Sequence, residues 1–330
     1  MIKFTSFLLA ACILAGCSGN PFPPDEDVAE DVPEVPDTPA PPATTTAIPA
    51  TLGLNLQTAT YNPDAGTLVL QLSSLDSGIL NAAYQRTPVL DRPGYIAFTL
   101  QDDPLDRHYT AMVARSNDPQ QSVQAGVVSD GGQFNTYFSG GFYERNAPFT
   151  PPAPGPDGGL VSYAGNYTGV TNLNAPGDEL LTVTSSVDPA NWPQQSAQTT
   201  GTIFLNVDFA NNAVNGAITD RVFAQYGATL PNARPNDLPD VVLRVADIAP
   251  DGTFFGGLVQ YPGSDSPDIG DYGGIFGGTE ATAVGGVVSL IDFDGEGNTL
   301  DLEGEREIGV FVLSRCGVAG SDPALCADAN

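Results

Sequence analysis

One stretch of the sequence carries oxygen ligands at a spacing that could hold a calcium ion. It places acidic side chains at positions 1, 3, 5 and 12 of a twelve-residue loop with glycine at position 6, which is the pattern of calcium loops that lie between helices. The ligand candidates are Asp292, Asp294, Glu296, Asn298 and Glu303. This loop, however, lies between two predicted strands, and Glu296 is longer than the usual residue at position 5. The sequence therefore favours an acidic hairpin loop over a metal site.

Two aromatic residues are candidates for ligand binding. Trp192, the sole tryptophan, lies in the long segment 172–198, and Tyr226 lies in the proline-rich segment 224–240. Aromatic side chains on exposed loops commonly anchor a protein partner. Trp192 could equally cover one end of a barrel, and both interpretations stay open.

The chain lacks the residues that most catalytic mechanisms require. Lys3 is the only lysine, so a Walker lysine, a Schiff-base lysine and a Ser-Lys dyad are excluded from the rest of the chain. His108 is the only histidine, which excludes a multi-histidine metal site. No Gly-x-Ser-x-Gly elbow frames a serine. We therefore predict a non-enzymatic protein without a cofactor, and a half-exposed strand position for His108.

The four cysteines divide into two groups. Cys12 and Cys17 lie near the amino terminus, which leaves Cys316 and Cys326 as an even pair. In an oxidising compartment such a pair predicts a disulfide, here one that pins the C-terminal tail at residues 317–330. The spacing is not Cys-x-x-Cys, which argues against a redox-active pair.

Cys17 follows a typical export signal. Residues 1–16 carry one positive charge and the apolar run 7–14, which is far shorter than the roughly 20 residues that a membrane-spanning helix needs. Leu14-Ala15-Gly16-Cys17 resembles the bacterial lipobox, in which the cysteine thiol is acylated and becomes the mature amino terminus. We predict a signal peptide at 1–16 and lipid attachment at Cys17, with an ordinary signal peptide that happens to contain cysteine as the alternative. Ser18, in place of aspartate, indicates the outer membrane.

The chain is strongly acidic, with a formal net charge of −28. Such a surface repels phosphates, so nucleic acid and direct contact with anionic lipid head groups are excluded as partners. Solubility or adaptation to a salty medium explains the charge more simply than an acidic binding face does.

Composition divides the chain further. Residues 17–50 form an acidic, proline-rich tether that cannot bury a core and is expected to be disordered. Residues 51–145 contain short alternating strand patterns, with one possible short helix at Leu75–Gln85. The prolines of 146–160 predict a linker.

Residues 161–316 have the clearest β pattern. About eight strands, joined by hairpin turns such as Asn211-Asn212 and Pro250-Asp251-Gly252, have one apolar face each. An even, hairpin-connected set without covering helices loses its exposed edges when it closes into a barrel. We predict an all-β protein with a C-terminal eight-stranded antiparallel barrel, and a β-sandwich as the alternative.

Part of this barrel resembles a known family. Gly274–Val287 is similar to the signature of the transferrin-binding protein B β-barrel, approximately Gly-x-Phe-Tyr-Gly-Pro-x-Ala-x-Glu-Leu-Gly-Gly-x-Phe. The matching residues are Phe276, Gly278, Ala281, Gly285 and Gly286, whereas Thr279 replaces the proline and Ala283 the glutamate. Val207-Asp208-Phe209 and Glu307–Phe311 also resemble strands of that family.

The resemblance implies a surface lipoprotein whose eight-stranded barrel follows a smaller β-rich handle, here residues 51–145. Members of the family bind host iron carriers, haemoglobin or complement regulators through variable loops, so no binding residue carries over. We predict a lipid-anchored outer-membrane or cell-surface protein that binds an unidentified protein or solute through barrel-end loops. The alternatives are a structural envelope lipoprotein without a discrete ligand and, third, a hydrolase that uses acidic residues.

Overall fold

A computed structural model describes residues 47–74, 78–153, 159–184, 186–230, 235–263, 265–295 and 300–328. The predicted signal peptide, Cys17 and the tether up to residue 46 lie outside these ranges. The described residues belong to one compact unit, Ala43–Asn330. Within them, no helix is both long enough and apolar enough to cross a membrane.

The described chain is almost entirely β-structure. Two short 3-10 helices lie at Pro88–Leu90 and Pro189–Asn191. The remaining elements are α1 (Ala50–Gly53), β1 (Leu56–Asn62), β2 (Thr67–Ser74), β3 (Gly78–Arg86), β4 (Ile96–Leu100), β5 (Tyr109–Arg115), β6 (Val123–Asp130), β7 (Ser139–Arg145), β8 (Leu160–Asn174), β9 (Ser196–Asp208), β10 (Ala213–Phe223), β11 (Val241–Asp247), β12 (Thr253–Gln260), β13 (Asp268–Gly277), β14 (Ala283–Ile291), β15 (Arg306–Ser314) and α2 (Pro323–Asp328).

Strands β1 to β7 form an antiparallel sheet in which each strand pairs with the next along the chain. The first turn shows why the chain reverses there. The side-chain oxygen of Asn62 accepts the amide of Ala65 at 3.0 Å, and Gly66 takes a left-handed φ of 63°. The predicted short helix at Leu75–Gln85 is wrong. β3 occupies 78–86 and pairs with β2 on one edge and β4 on the other, so pairing overrides the local helix preference there, and residues 75–77 lie outside the described ranges.

Strands β8 to β15 close into an eight-stranded antiparallel barrel, because β8 pairs with β15 as well as with β9. Alternation along β9 turns Ile203, Leu205 and Val207 into the interior, where all three are buried. The predicted all-β class and the closed barrel are confirmed, and the sandwich is not formed. The assignment of 51–145, 146–160 and 161–316 to separate domains stays a prediction.

Three apolar cores hold the described chain together. One fills the barrel, a second lies on one face of the sheet, and a third lies between the other face of the sheet and the barrel wall. β6 contributes to both faces, since Val123 and Val127 pack towards the barrel and Val128 packs into the sheet's own core. The approach is close: a Cβ added at Gly141 of β7 would lie 2.7 Å from the side chain of Val287 on β14.

Candidate functional site

A groove lies where the β6–β7 hairpin of the sheet meets the end of β8, the β8–β9 loop and the β14–β15 loop of the barrel. Its volume is about 480 Å³, and we call it the junction groove. It is lined by the hairpin residues 131–137 and by Asn172, Trp192, Gln194 and Glu303. The groove therefore collects residues from segments that are far apart in sequence, including one of the two predicted aromatic anchors.

The tip of the hairpin holds an aromatic residue in an unusual backbone conformation. Gln133 and Thr136 exchange two backbone hydrogen bonds of 3.1 and 3.0 Å, and the two residues between them, Phe134 and Asn135, both have φ of 54°. Turns of this kind normally carry Asn-Gly, because a side chain at positive φ is strained. For a bulky residue the cost is roughly 1–2 kcal/mol. Phe134 nevertheless occupies the turn and is 61% exposed.

Buried polar contacts fix the hairpin in place. The side-chain amide of Gln133 donates to the carbonyl oxygens of Leu105 at 3.0 Å and of Asn191 at 2.9 Å. Arg107 donates to the Gln133 carbonyl at 2.8 Å and forms an ion pair with Asp130. A Cβ added at Gly131 would lie 2.4 Å from the Gln194 carbonyl oxygen, so glycine alone allows this approach. Tightly packed residues at the base of the hairpin therefore hold its tip in position.

Trp192 also lines the groove. It directly follows the 3-10 helix Pro189–Asn191, whose first turn is capped by the Asp188 carboxylate at 3.0 Å from the Ala190 amide. Its indole N–H donates to the Val187 carbonyl at 3.1 Å, and the residue is half-buried. The ring is therefore held by the loop, with part of its surface accessible.

Tyr226, the other predicted anchor, is not among the residues that line this groove. Its hydroxyl donates to the Asn174 carbonyl, and its ring packs edge-to-face on Phe223 at 6.2 Å between centroids. Partial burial raises the pKa of the hydroxyl. The structure therefore does not bring the two predicted aromatic residues into one site.

The candidate calcium loop is only partly within the described residues. Asp294 is buried, and its carboxylate accepts the amides of Leu300 at 2.9 Å and Leu302 at 3.4 Å, which shapes the loop. The amide of Asp292 donates to the Glu305 carbonyl at 3.1 Å, and Glu303 lies at the junction groove. Glu296 and Asn298 lie outside the described ranges. Among the described residues no cluster of three or more His, Cys, Asp or Glu is placed to hold a metal. The acidic hairpin loop that the sequence favours over a metal site stays a prediction.

The barrel interior contains a charged cluster that sequence reasoning missed. Arg221 on β10 and Glu307 on β15 form an ion pair of 2.9 Å, and both side chains are 0% exposed. The hydroxyl of Tyr167 on β8 donates to the same carboxylate, and Arg221 also donates to the Pro239 carbonyl at 2.9 Å. Because the partners are 86 residues apart, no local motif signals the pair. Its enclosure by aromatic packing makes it a structural element of the barrel.

His108 is not the half-exposed strand residue that the sequence predicted. It lies directly before β5 and is 1% exposed, and it lines a cavity with Thr87, Thr99 and Glu179. Burial lowers the pKa of its imidazole to about 4, so the side chain is neutral near pH 7.

The predicted disulfide is formed. Cys316, directly beyond β15, is bonded to Cys326 in α2, with 5.6 Å between the Cα atoms. The amide of Cys316 donates to the Ser162 carbonyl of β8 at 2.8 Å. The bond therefore pins the C-terminal tail beside the barrel.

Comparison with known proteins finds a similarity of fold. No protein-family model and no curated protein sequence matches the chain. Among solved structures, the chain is similar to intact Ap-TbpB with its N and C lobes, at 13% identity and a TM-score of 0.35, over 77% of this chain and 53% of that one. A double mutant of the vaccine antigen transferrin-binding protein B from Haemophilus parasuis Hp5 matches at 11% identity and a TM-score of 0.36, over 77% and 52%.

The isotype 1 transferrin-binding protein B of serogroup B Neisseria meningitidis matches at 14% identity and a TM-score of 0.33, over 77% and 51%. The chain spans about half the length of these structures. The similarity to transferrin-binding protein B that the strand motifs implied is thus found among solved structures as well.

Proposed function

We propose that this protein is a lipid-anchored protein of the bacterial outer membrane that binds a macromolecular ligand through the junction groove. Cys17 would carry the acyl chains, and residues 18–46 would connect them to the folded part. The lipobox resemblance supports the anchor, and the disulfide is consistent with folding outside the cytoplasm.

The observation that carries the binding proposal is the exposure of Phe134 at a strained turn, in a groove that Trp192 also lines. Glycine, asparagine or aspartate would adopt the same turn at lower cost, so the turn itself does not account for the phenyl ring. Rigid aromatic side chains lose little conformational entropy on binding and dominate the energetics of many interfaces. The sequence reasoning that selected Trp192 missed Phe134, because 133–143 had the composition of a continuous strand.

A non-enzymatic role fits the placement of the titratable groups. The buried Arg221–Glu307 pair lies inside the barrel, and the Asp294 carboxylate is used by loop amides. Neither group faces the junction groove as a free acid or base. A structural envelope lipoprotein without a ligand is the competing function, and it predicts that no groove substitution affects binding.

Affinity capture tests the proposal directly. The mature chain with Cys17→Ser, immobilised and exposed to proteins from the surroundings of the bacterium, is expected to retain a ligand. Phe134→Ala and Trp192→Ala should each reduce that retention by about tenfold, the range of an interface anchor. Val89→Ala is the matched control, because Val89 is a comparably exposed apolar residue at 68% that lies outside the groove.

Equal capture by all four proteins, or capture by none, would contradict the proposal and favour the structural role. In the intact cell the same Cys17→Ser change should abolish incorporation of radiolabelled palmitate and release the protein from the membrane fraction. Retention of both label and membrane association would overturn the lipid anchor.

A further inference from the structure

We propose that the junction groove binds a cationic segment of a protein, one that presents arginine or lysine side chains. This inference rests on the proposed function and names the chemistry of the partner. Two properties of the groove carry it, namely its paired aromatic surfaces and the sign of the charge around it.

The aromatic surfaces suit a cation. Phe134 exposes its ring at the hairpin tip, and Trp192, which lines the same groove, is half-buried. The face of an aromatic ring carries a negative electrostatic potential, and tryptophan attracts cations most strongly. A guanidinium group can also stack flat on such a ring, which favours arginine over lysine.

The rim of the groove is acidic. Gln133 is bonded to Leu105 and Asn191, so the loops that carry Asp103 and Asp188 adjoin the hairpin, and Glu303 lines the groove itself. These three carboxylates are exposed. The nearby cation Arg107 is buried against Asp130 and is already neutralised.

The net charge of the whole protein also favours a cationic partner. With a net charge of −28 the chain attracts cations over a distance and repels acidic partners. A partner of the same charge would bring its own carboxylates against Glu303 and the loops of Asp103 and Asp188. The groove and the global field therefore select the same sign of ligand.

Fluorescence anisotropy with defined peptides tests this inference. The probes are labelled peptides of about twelve residues in which glycine alternates with arginine, with lysine or with glutamate. The arginine peptide is expected to bind the mature chain best, the lysine peptide more weakly and the glutamate peptide not at all. Binding should weaken between about 0.05 M and about 0.5 M salt, because exposed charges are screened.

Groove variants separate specific binding from general attraction to an acidic surface. Phe134→Ala and Trp192→Ala leave the charge unchanged and should each weaken binding of the arginine peptide by about 5- to 10-fold. Glu303→Gln should weaken it by about 2- to 3-fold more than Asp247→Asn, which removes an exposed charge on β11 outside the groove. Val89→Ala should bind as the unmodified protein does.

Two results would overturn the inference. One is an arginine peptide that does not bind, and the other is one that binds equally to the Phe134, Trp192 and Val89 variants. If ligand capture still depends on Phe134 and Trp192 in either case, the binding function stands and only the cationic partner is wrong. If capture is also independent of these residues, the proposed function fails with it.

Discussion

The barrel and the seven-stranded sheet differ in how their strand edges are paired. Every barrel strand has two paired neighbours, whereas β1 and β7 each pair with one strand. The two edges approach each other at one end. There the amide of Asn55 donates to the Ser139 carbonyl at 2.9 Å, and the Ser139 amide donates to the side-chain oxygen of Asn55 at 3.2 Å. The barrel therefore builds its core alone, while the sheet depends on the barrel to cover its second face.

The two regions also treat buried polar groups differently. The barrel keeps a full ion pair inside, where Glu307 is satisfied by Arg221 and Tyr167. The sheet also buries an ion pair, between Arg107 and Asp130, and in addition it keeps His108 neutral, since burial lowers its pKa. Both regions thus support a buried charge pair, and the sheet differs by also holding a buried titratable base uncharged. This difference leads to three predictions.

The largest effect is expected from Arg221→Ala. The change leaves Glu307 charged, buried and without its cation, which typically costs about 3–5 kcal/mol. Urea unfolding should show this loss. Arg244→Ala is the control, because Arg244 and Asp268 form a largely exposed ion pair of 3.8 Å, and such pairs contribute about 1 kcal/mol or less.

A combined Arg221→Met and Glu307→Gln variant should recover much of the stability, because no uncompensated charge remains. A single Arg221→Ala variant as stable as the Arg244 variant would show that the barrel does not depend on the internal pair.

A somewhat smaller effect is expected from Ile308→Ala. Ile308 is fully buried on the outer wall of the barrel against the sheet, and its truncation should cost about 2–4 kcal/mol. Hydrogen exchange should accelerate mainly in β5 to β7, because the sheet loses its support. Leu205→Ala, which opens a comparable gap inside the barrel, should instead accelerate exchange in β8 to β15. The same exchange pattern for both variants would show that the two regions unfold as one.

The smallest effect concerns pH and the sheet alone. The folded-state pKa of His108 is about 4, below its ordinary value of about 6.5, so the unfolded chain binds the proton first. The contribution of neutral His108 to the free energy of unfolding is complete above pH ~6.5 and decreases by up to about 3 kcal/mol as the pH falls to ~4. In His108→Gln the urea midpoint should depend less on pH between ~6.5 and ~5, a range in which carboxylates still titrate little. An unchanged pH dependence in this variant would mean that His108 is not the responsible group.

The barrel was predictable from sequence because its signals are local. Each strand alternates apolar and polar residues, and turns such as Asn211-Asn212 mark the reversals; Asn212 indeed has a φ of 54°. The disulfide was predictable by counting the cysteines that remain in a chain whose sequence predicts export. The helix expected at Leu75–Gln85 failed because its Ala-containing sequence is ambiguous, and pairing on both edges decides its structure.

The candidate site was only half predictable. Trp192 stands out by composition, but Phe134 lies in a stretch whose alternation suggested an uninterrupted strand. Its only local signal is Asn135, a residue that tolerates positive φ. Two further features depend on how distant segments pack, namely the ion pair of Arg221 with Glu307 and the close approach of the hairpin to Gln194. The periodicity of the sequence carries no information about such packing.

The order of the strands also has a consequence for the speed of folding. The sheet consists only of pairings between consecutive strands, so each closes a short loop and can form as soon as both strands are available. Barrel closure is different, because β8 must wait for β15, and Tyr167 and Glu307 are 140 residues apart. High contact order slows folding, so β8 keeps an unpaired edge until the last strand arrives. The chain is therefore most open to aggregation during this interval.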